Sequence, residues 1–178
     1  MHAFSASHPS AASLRRLLSC AAGGFMLLAF FSFTAAQAAD DAAALRGLKE
    51  VKVAYDLTEE DGKRLLNQIS VIEETRQSLI AQGTTPHFVL SFRGPATRLV
   101  QSDTEKIKPE DRALAAQIVA KLEAMSKAPG VDGMEQCAIA IRQQGTKAEN
   151  VIPPIKVVGN AWISLMSYQN KGYAYIRP

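Results

Sequence analysis

From residue 51 onward the apolar pattern switches back and forth between a period of two and a period near 3.6, and this alternation restricts the fold most. Val51-Lys52-Val53-Ala54-Tyr55-Asp56-Leu57 reads as a strand. Thr58 with Asp61 resembles a capping box with Asp in place of Glu, and it opens a helical stretch. Leu65, Ile69, Ile72 and Leu79 share one face of that helix, with Glu73, Glu74 and Arg76 assigned elsewhere on it. Gly83 stops the helix. After Pro86, His87-Phe88-Val89-Leu90-Ser91-Phe92 is a second extended run that ends in the turn Arg93-Gly94-Pro95.

A short helix is expected from Ala96 to Val100, and a polar loop from Gln101 to Lys108. Pro109 then opens a helix marked by Leu114, Ile118, Leu122 and Met125. Val131 to Gln136 is assigned as a third strand, and Ala138 to Gln144 as a short helix that Gly145 ends. Ile155 to Val158 reads as a strand and Asn160 to Asn170 as an amphipathic helix. Tyr173-Ala174-Tyr175-Ile176 closes the chain as a last strand. Strands that alternate with helices predict a three-layer α/β/α sandwich around a largely parallel sheet of about five strands.

The N-terminus has the three parts of a secretory signal. Residues 1–16 carry no acid and end in Arg15-Arg16, and Leu17 to Ala36 is uncharged. Ala36-Gln37-Ala38 offers small residues for cleavage before Ala39. A transmembrane anchor is the rival, weakened by the glycines, serines and Ala-rich exit. The expected organisation is a signal peptide over 1–38, a flexible lead-in over 39–48 and one α/β domain over 49–178. A periplasmic or secreted location follows, with no stable membrane span after cleavage. The arginine pair leaves Sec and twin-arginine export both open. Cys20 precedes most of the apolar stretch, so it does not fit a lipoprotein cysteine.

Cleavage removes two of the 20 basic residues and none of the 17 acids, so the net charge of the remainder is +1. That balance calls for no nucleic acid partner and no acidic membrane surface. Only His87 and Cys137 remain as soft ligands in 39–178, so no metal site is expected. Gly-rich phosphate loops, a G-x-S-x-G elbow and a CxxC pair are all missing from the sequence, and no cofactor is expected.

By elimination, Cys137 is the candidate catalytic residue. It ends the third strand, just before a helix, at the edge of an open α/β sheet where ligands bind. Free N–H groups at a helix start favour thiolate, the form that attacks or carries sulfane sulfur. The competing reading is an inert core cysteine beside Ala138 and Ile139. Arg93 and Gly94, at the end of the second strand, are the candidate substrate-binding residues. The guanidinium suits an anionic sulfur compound or a thiolate, and the competing reading is a solvated turn arginine. Arg98 has the same ambiguity, while Trp162 and Tyr168 read as core or interface aromatics.

Lys156-Val157-Val158, Ile163 and the run Tyr168-Gln169-Asn170-Lys171-Gly172-Tyr173-Ala174-Tyr175-Ile176-Arg177-Pro178 resemble the closing signature of the DsrE/DsrF-like family. The order of the earlier parts agrees over residues 49–178. The resemblance implies a flavodoxin-like sandwich that assembles as a homo-oligomer, a trimer or hexamer. It also implies a place in sulfur metabolism, with persulfide carried on a cysteine like Cys137 and passed between a donor and an acceptor protein or small sulfur compound. The alternative within the same resemblance is a non-catalytic oligomeric binding or assembly module with a structural cysteine. Arg93 stands where many relatives have histidine, and many relatives are cytoplasmic. Tyr173 and Tyr175 on one side of the last strand, with Trp162 and Met166, add aromatic and methionine surface of the kind enriched at subunit interfaces.

Overall fold

The computed structural model describes residues 41–178. The expected signal peptide over 1–38, with Cys20, and the first two residues of the expected lead-in lie outside the described residues. Residues 41–48 form turns, and an α/β domain with a five-stranded, all-parallel sheet follows. The elements are β1 (Glu50–Leu57), α1 (Gly62–Ala81), β2 (Thr85–Phe92), α2 (Arg112–Met125) and β3 (Val131–Cys137). Then come α3 (Ala138–Gln144), β4 (Lys156–Val158), α4 (Ala161–Asn170) and β5 (Ala174–Ile176). The strand order is β4-β3-β2-β1-β5.

The alternation of strand residues divides the chemistry between two faces. On one face Val53, Tyr55 and Leu57 of β1 join Phe88, Leu90 and Phe92 of β2 and Met134 of β3. They meet Leu65, Ile69, Ile72 and Leu79 of α1 and Ala115, Ile118, Leu122 and Met125 of α2 in one apolar core. The other face carries Asp56, Ser91, Glu135 and Cys137 in register across β1, β2 and β3. It is covered by α4, which crosses from β4 at one edge to β5 at the other and contacts β1, β2 and β3 on the way.

Three local readings are revised. The α1 cap is Asp61, whose carboxylate accepts from Arg64 N–H at 2.8 Å. Residues 94–100 form a 3-10 turn rather than an α-helix, and another 3-10 turn at Pro109–Asp111 precedes α2. Arg76 is buried on the core side of α1, not elsewhere, because 72, 76 and 79 fall on one stripe. Its guanidinium is satisfied by both Glu73 carboxylate oxygens at 2.8 and 2.7 Å and by the Pro129 carbonyl at 2.8 Å. At the turn into β3, Gly130 has φ +86°, and a Cβ there would lie 2.5 Å from Pro86 Cγ. Glycine lets β3 approach β2 closely enough for Phe88 N–H to reach Gly130 O at 2.9 Å.

Candidate functional site

The site forms at the carboxyl edge of the sheet. Phe92 pairs with Gln136, so the next residues, Arg93 and Cys137, are placed side by side at the ends of β2 and β3. Gly94 follows with φ +56°, which lets the chain turn at once away from the strand. Cys137, Arg93 and Gly94 line one cavity of about 260 Å³, together with Ile139, Ala140, Gln143, Asn160 and Trp162. That volume lies at the lower end for ligand cavities and suits a ligand of few atoms.

Cys137 is a free thiol, 5% exposed, packed against Ala140 and Ala161. The Ala161 N–H, first of α4, donates to Cys137 Sγ at 3.4 Å. Asn160 caps that helix, its side-chain oxygen accepting from Trp162 N–H at 2.9 Å. Two consecutive donors of the α4 N-terminus are thus turned to a cap and to a sulfur. The helix is aligned by Glu135, two residues before Cys137 on the same face of β3. Glu135 accepts from the Ser164 hydroxyl and from Tyr168 OH, the latter at 2.9 Å. Burial, followed by this bond to Glu135, pushes the Tyr168 phenol up to about 12.

Arg93 is not a solvated turn arginine. Its Nε and Nη2 donate to the two oxygens of Asp56 at 2.7 and 2.5 Å, a bidentate pair with a fully buried carboxylate. Tyr175 OH donates to the same Asp56 at 2.6 Å. Bonding to Asp56 raises the Arg93 pKa and that of Tyr175 as well. The guanidinium carbon lies 5.9 Å from the Trp162 ring centroid, within cation–π range. Trp162 is 63% exposed, which excludes a core role for it.

The candidates Cys137, Arg93 and Gly94 thus line one cavity, and Asp56, Tyr175 and Asn160, which the sequence did not mark as site residues, position them. An aspartate inside the apolar run Val53 to Leu57 was the available signal for Asp56, since an unpaired buried carboxylate is costly. Arg98 is not part of the cavity lining and reaches Glu60 at 3.6 Å on the surface. His87 lies at the opposite end of β2, near Asp132 at 3.2 Å and Glu50 at 3.7 Å. Among the described residues no group of His, Cys, Asp and Glu is arranged to hold a metal ion, and no helix is long and apolar enough to cross a membrane.

The sequence matches no protein-family model. It is 27% identical over 126 residues to an uncharacterized protein of Aquifex aeolicus (strain VF5), covering 71% of this chain and 55% of that protein. The chain therefore spans about half the length of the curated relative it matches. The fold is similar to that of MTH1491, a protein of unknown function from Methanobacterium thermoautotrophicum, with a TM-score of 0.56 and 20% sequence identity. That likeness covers 72% of this chain and 99% of the MTH1491 chain. The chain is homologous to the Aquifex protein and shares the α/β fold of MTH1491.

Proposed function

We propose that this protein is an exported, DsrE/DsrF-like sulfur carrier in which Cys137 holds sulfane sulfur as a persulfide. The observation that carries the reading is the Ala161 N–H aimed at Cys137 Sγ in a small cavity that also contains a guanidinium. A donor hydrogen bond to sulfur favours the anionic form, in a thiol or in a persulfide. In the loading step Cys137 gives up its proton to solvent and its sulfur attacks the terminal sulfur of a donor. The donor's sulfur–sulfur bond breaks, and the leaving group departs with the electron pair. An acceptor thiolate reverses the step. The closing Gly172-Tyr173-Ala174-Tyr175-Ile176-Arg177-Pro178 segment supports the family reading, and the signal-like N-terminus supports a periplasmic or secreted location.

Mass spectrometry after treatment with polysulfide tests the reading. It predicts the added mass of sulfur on Cys137, released by reductant and missing in Cys137→Ser. A thiol that stays unmodified, and that iodoacetamide reaches only after denaturation, contradicts it.

A second reading is favoured by the low exposure of Cys137 and by the apolar surface of α4, where Trp162, Ile163 and Met166 stand exposed. In that reading the protein is an oligomeric assembly module and the cysteine is packing. Cys137→Ser then leaves partner binding intact. The same substitution abolishing sulfur loading decides for the carrier.

A further inference from the structure

A guanidinium has two hydrogen-bonding edges, and in Arg93 Asp56 occupies only one. The Nε and Nη2 side takes the two carboxylate oxygens, and Tyr175 OH holds the same carboxylate from β5. The guanidinium Cζ lies over the Trp162 ring, 5.9 Å from the centroid. Tyr175 OH interacts with the guanidinium as well as with Asp56, and among the described residues Nη1 makes no hydrogen bond. This remaining edge has the spacing that a carboxylate or a sulfur oxyanion accepts bidentately. Arg93 is also the only charged residue in the cavity lining; the rest are a thiol, two amides and apolar groups. With no carboxylate in the lining and Asp56 sealed beneath, an anion entering the cavity meets donors and no like charge in the wall.

We propose that the open edge of Arg93 is an oxyanion subsite that takes the sulfonate end of a thiosulfate-type donor, with Asp56 and Tyr175 as positioning residues. The identity of the donor rests on the carrier reading of Cys137; the subsite rests on Arg93. In the step this implies, Cys137 thiolate attacks the sulfane sulfur of thiosulfate and the sulfur–sulfur bond breaks. Sulfite leaves with the electron pair. A thiolate and a dianion become a persulfide anion and a dianion, so charge and electrons balance without an added oxidant. Arg93 holds the leaving sulfite as its charge concentrates on oxygen.

Trp162 is the sole tryptophan of the chain and lies against Arg93, so its emission reports on the subsite directly. The test titrates thiosulfate into the Cys137→Ser protein, which cannot accept sulfur, with chloride at equal ionic strength as control. The proposal predicts a saturable change in emission, displaced by sulfate, and weakened at least about tenfold in Arg93→Lys/Cys137→Ser, where the charge stays and the fork is lost. If the lysine variant does not fold, the guanidinium nitrogen resonance of Arg93 in Cys137→Ser must shift with the same saturation. An emission change that is linear and equal for thiosulfate and chloride overturns the subsite, as does an unmoved Arg93 resonance. The two readings separate cleanly. Loading of Cys137 from polysulfide without thiosulfate binding sinks the subsite alone. Saturable thiosulfate binding without any loading supports the subsite and sinks the carrier.

Discussion

Arg93 and Asp56 are 37 positions apart, and Tyr175 is 119 positions from Asp56, yet the three form one hydrogen-bonded chain. Removing its members should cost unequal amounts. Arg93→Met leaves the buried Asp56 carboxylate without its cation and is expected to destabilise the fold by about 3 kcal/mol. Tyr175→Phe removes one hydrogen bond from a carboxylate that keeps its arginine, and is expected to cost about 1 kcal/mol. Urea denaturation of the two variants measures both; equal losses would contradict the assignment of Arg93 as the principal partner. Such a chain is illegible in a single sequence. Strand periodicity marks Asp56 only as an interruption, and no spacing rule links it to a turn arginine or to a tyrosine near the end of the chain.

Among the elements, most strands and helices were legible from a clear period and a Gly, Pro or Asx boundary. By contrast β3, Val131-Asp132-Gly133-Met134-Glu135-Gln136-Cys137, has a poor pattern and followed partly from its place between two helices. The 3-10 turn at 94–100 was not legible, since seven residues after a Gly-Pro turn satisfy either helical geometry. Nor was the placement of α4 on the polar face, which depends on Glu135 meeting Ser164 and Tyr168 across 29 and 33 positions. The start of α4 carries the site. Asn160→Ala removes the cap and is expected to cost about 1 kcal/mol. Fraying of that first turn should also speed iodoacetamide labelling of Cys137 under native conditions. Alkylation no faster than in the parent protein would show that the α4 N-terminus does not guard the thiol.

Across the whole molecule, all four tyrosines have phenols held protonated above their ordinary value of 10. Burial pushes Tyr55, Tyr168 and Tyr173 up to about 12, with Glu135 and Asp132 adding to the last two. For Tyr175 the first cause is its bond to Asp56. A raised folded-state value favours the neutral phenol, so this stabilisation is present at neutral pH and is lost as the pH climbs from 10 toward 12. Tyrosinate absorbance at pH 10.5 should therefore stay low in the folded protein and jump on unfolding in urea. A titration midpoint near 10 for the folded protein would contradict the packing of the tyrosines on both faces.

Trp162, Ile163 and Met166 stand exposed on α4, and Tyr175 of β5, also exposed, lies on the same sheet face through its bond to Asp56. Apolar patches of this kind mark association surfaces, and we propose a homo-oligomer built through this face, a trimer or hexamer by the family resemblance. Light scattering on the protein lacking residues 1–38 should give a multiple of the chain mass, reduced by Met166→Glu. A monomer that persists on concentration would exclude the assembly.

The central claim concerns one atom, Cys137 Sγ, and intact-mass spectrometry of the purified protein after exposure to a sulfane-sulfur donor measures it most directly. The account predicts added sulfur on Cys137 alone, removed by reductant and missing in Cys137→Ser. An unchanged mass in a folded protein whose Cys137 resists iodoacetamide until denatured would contradict it.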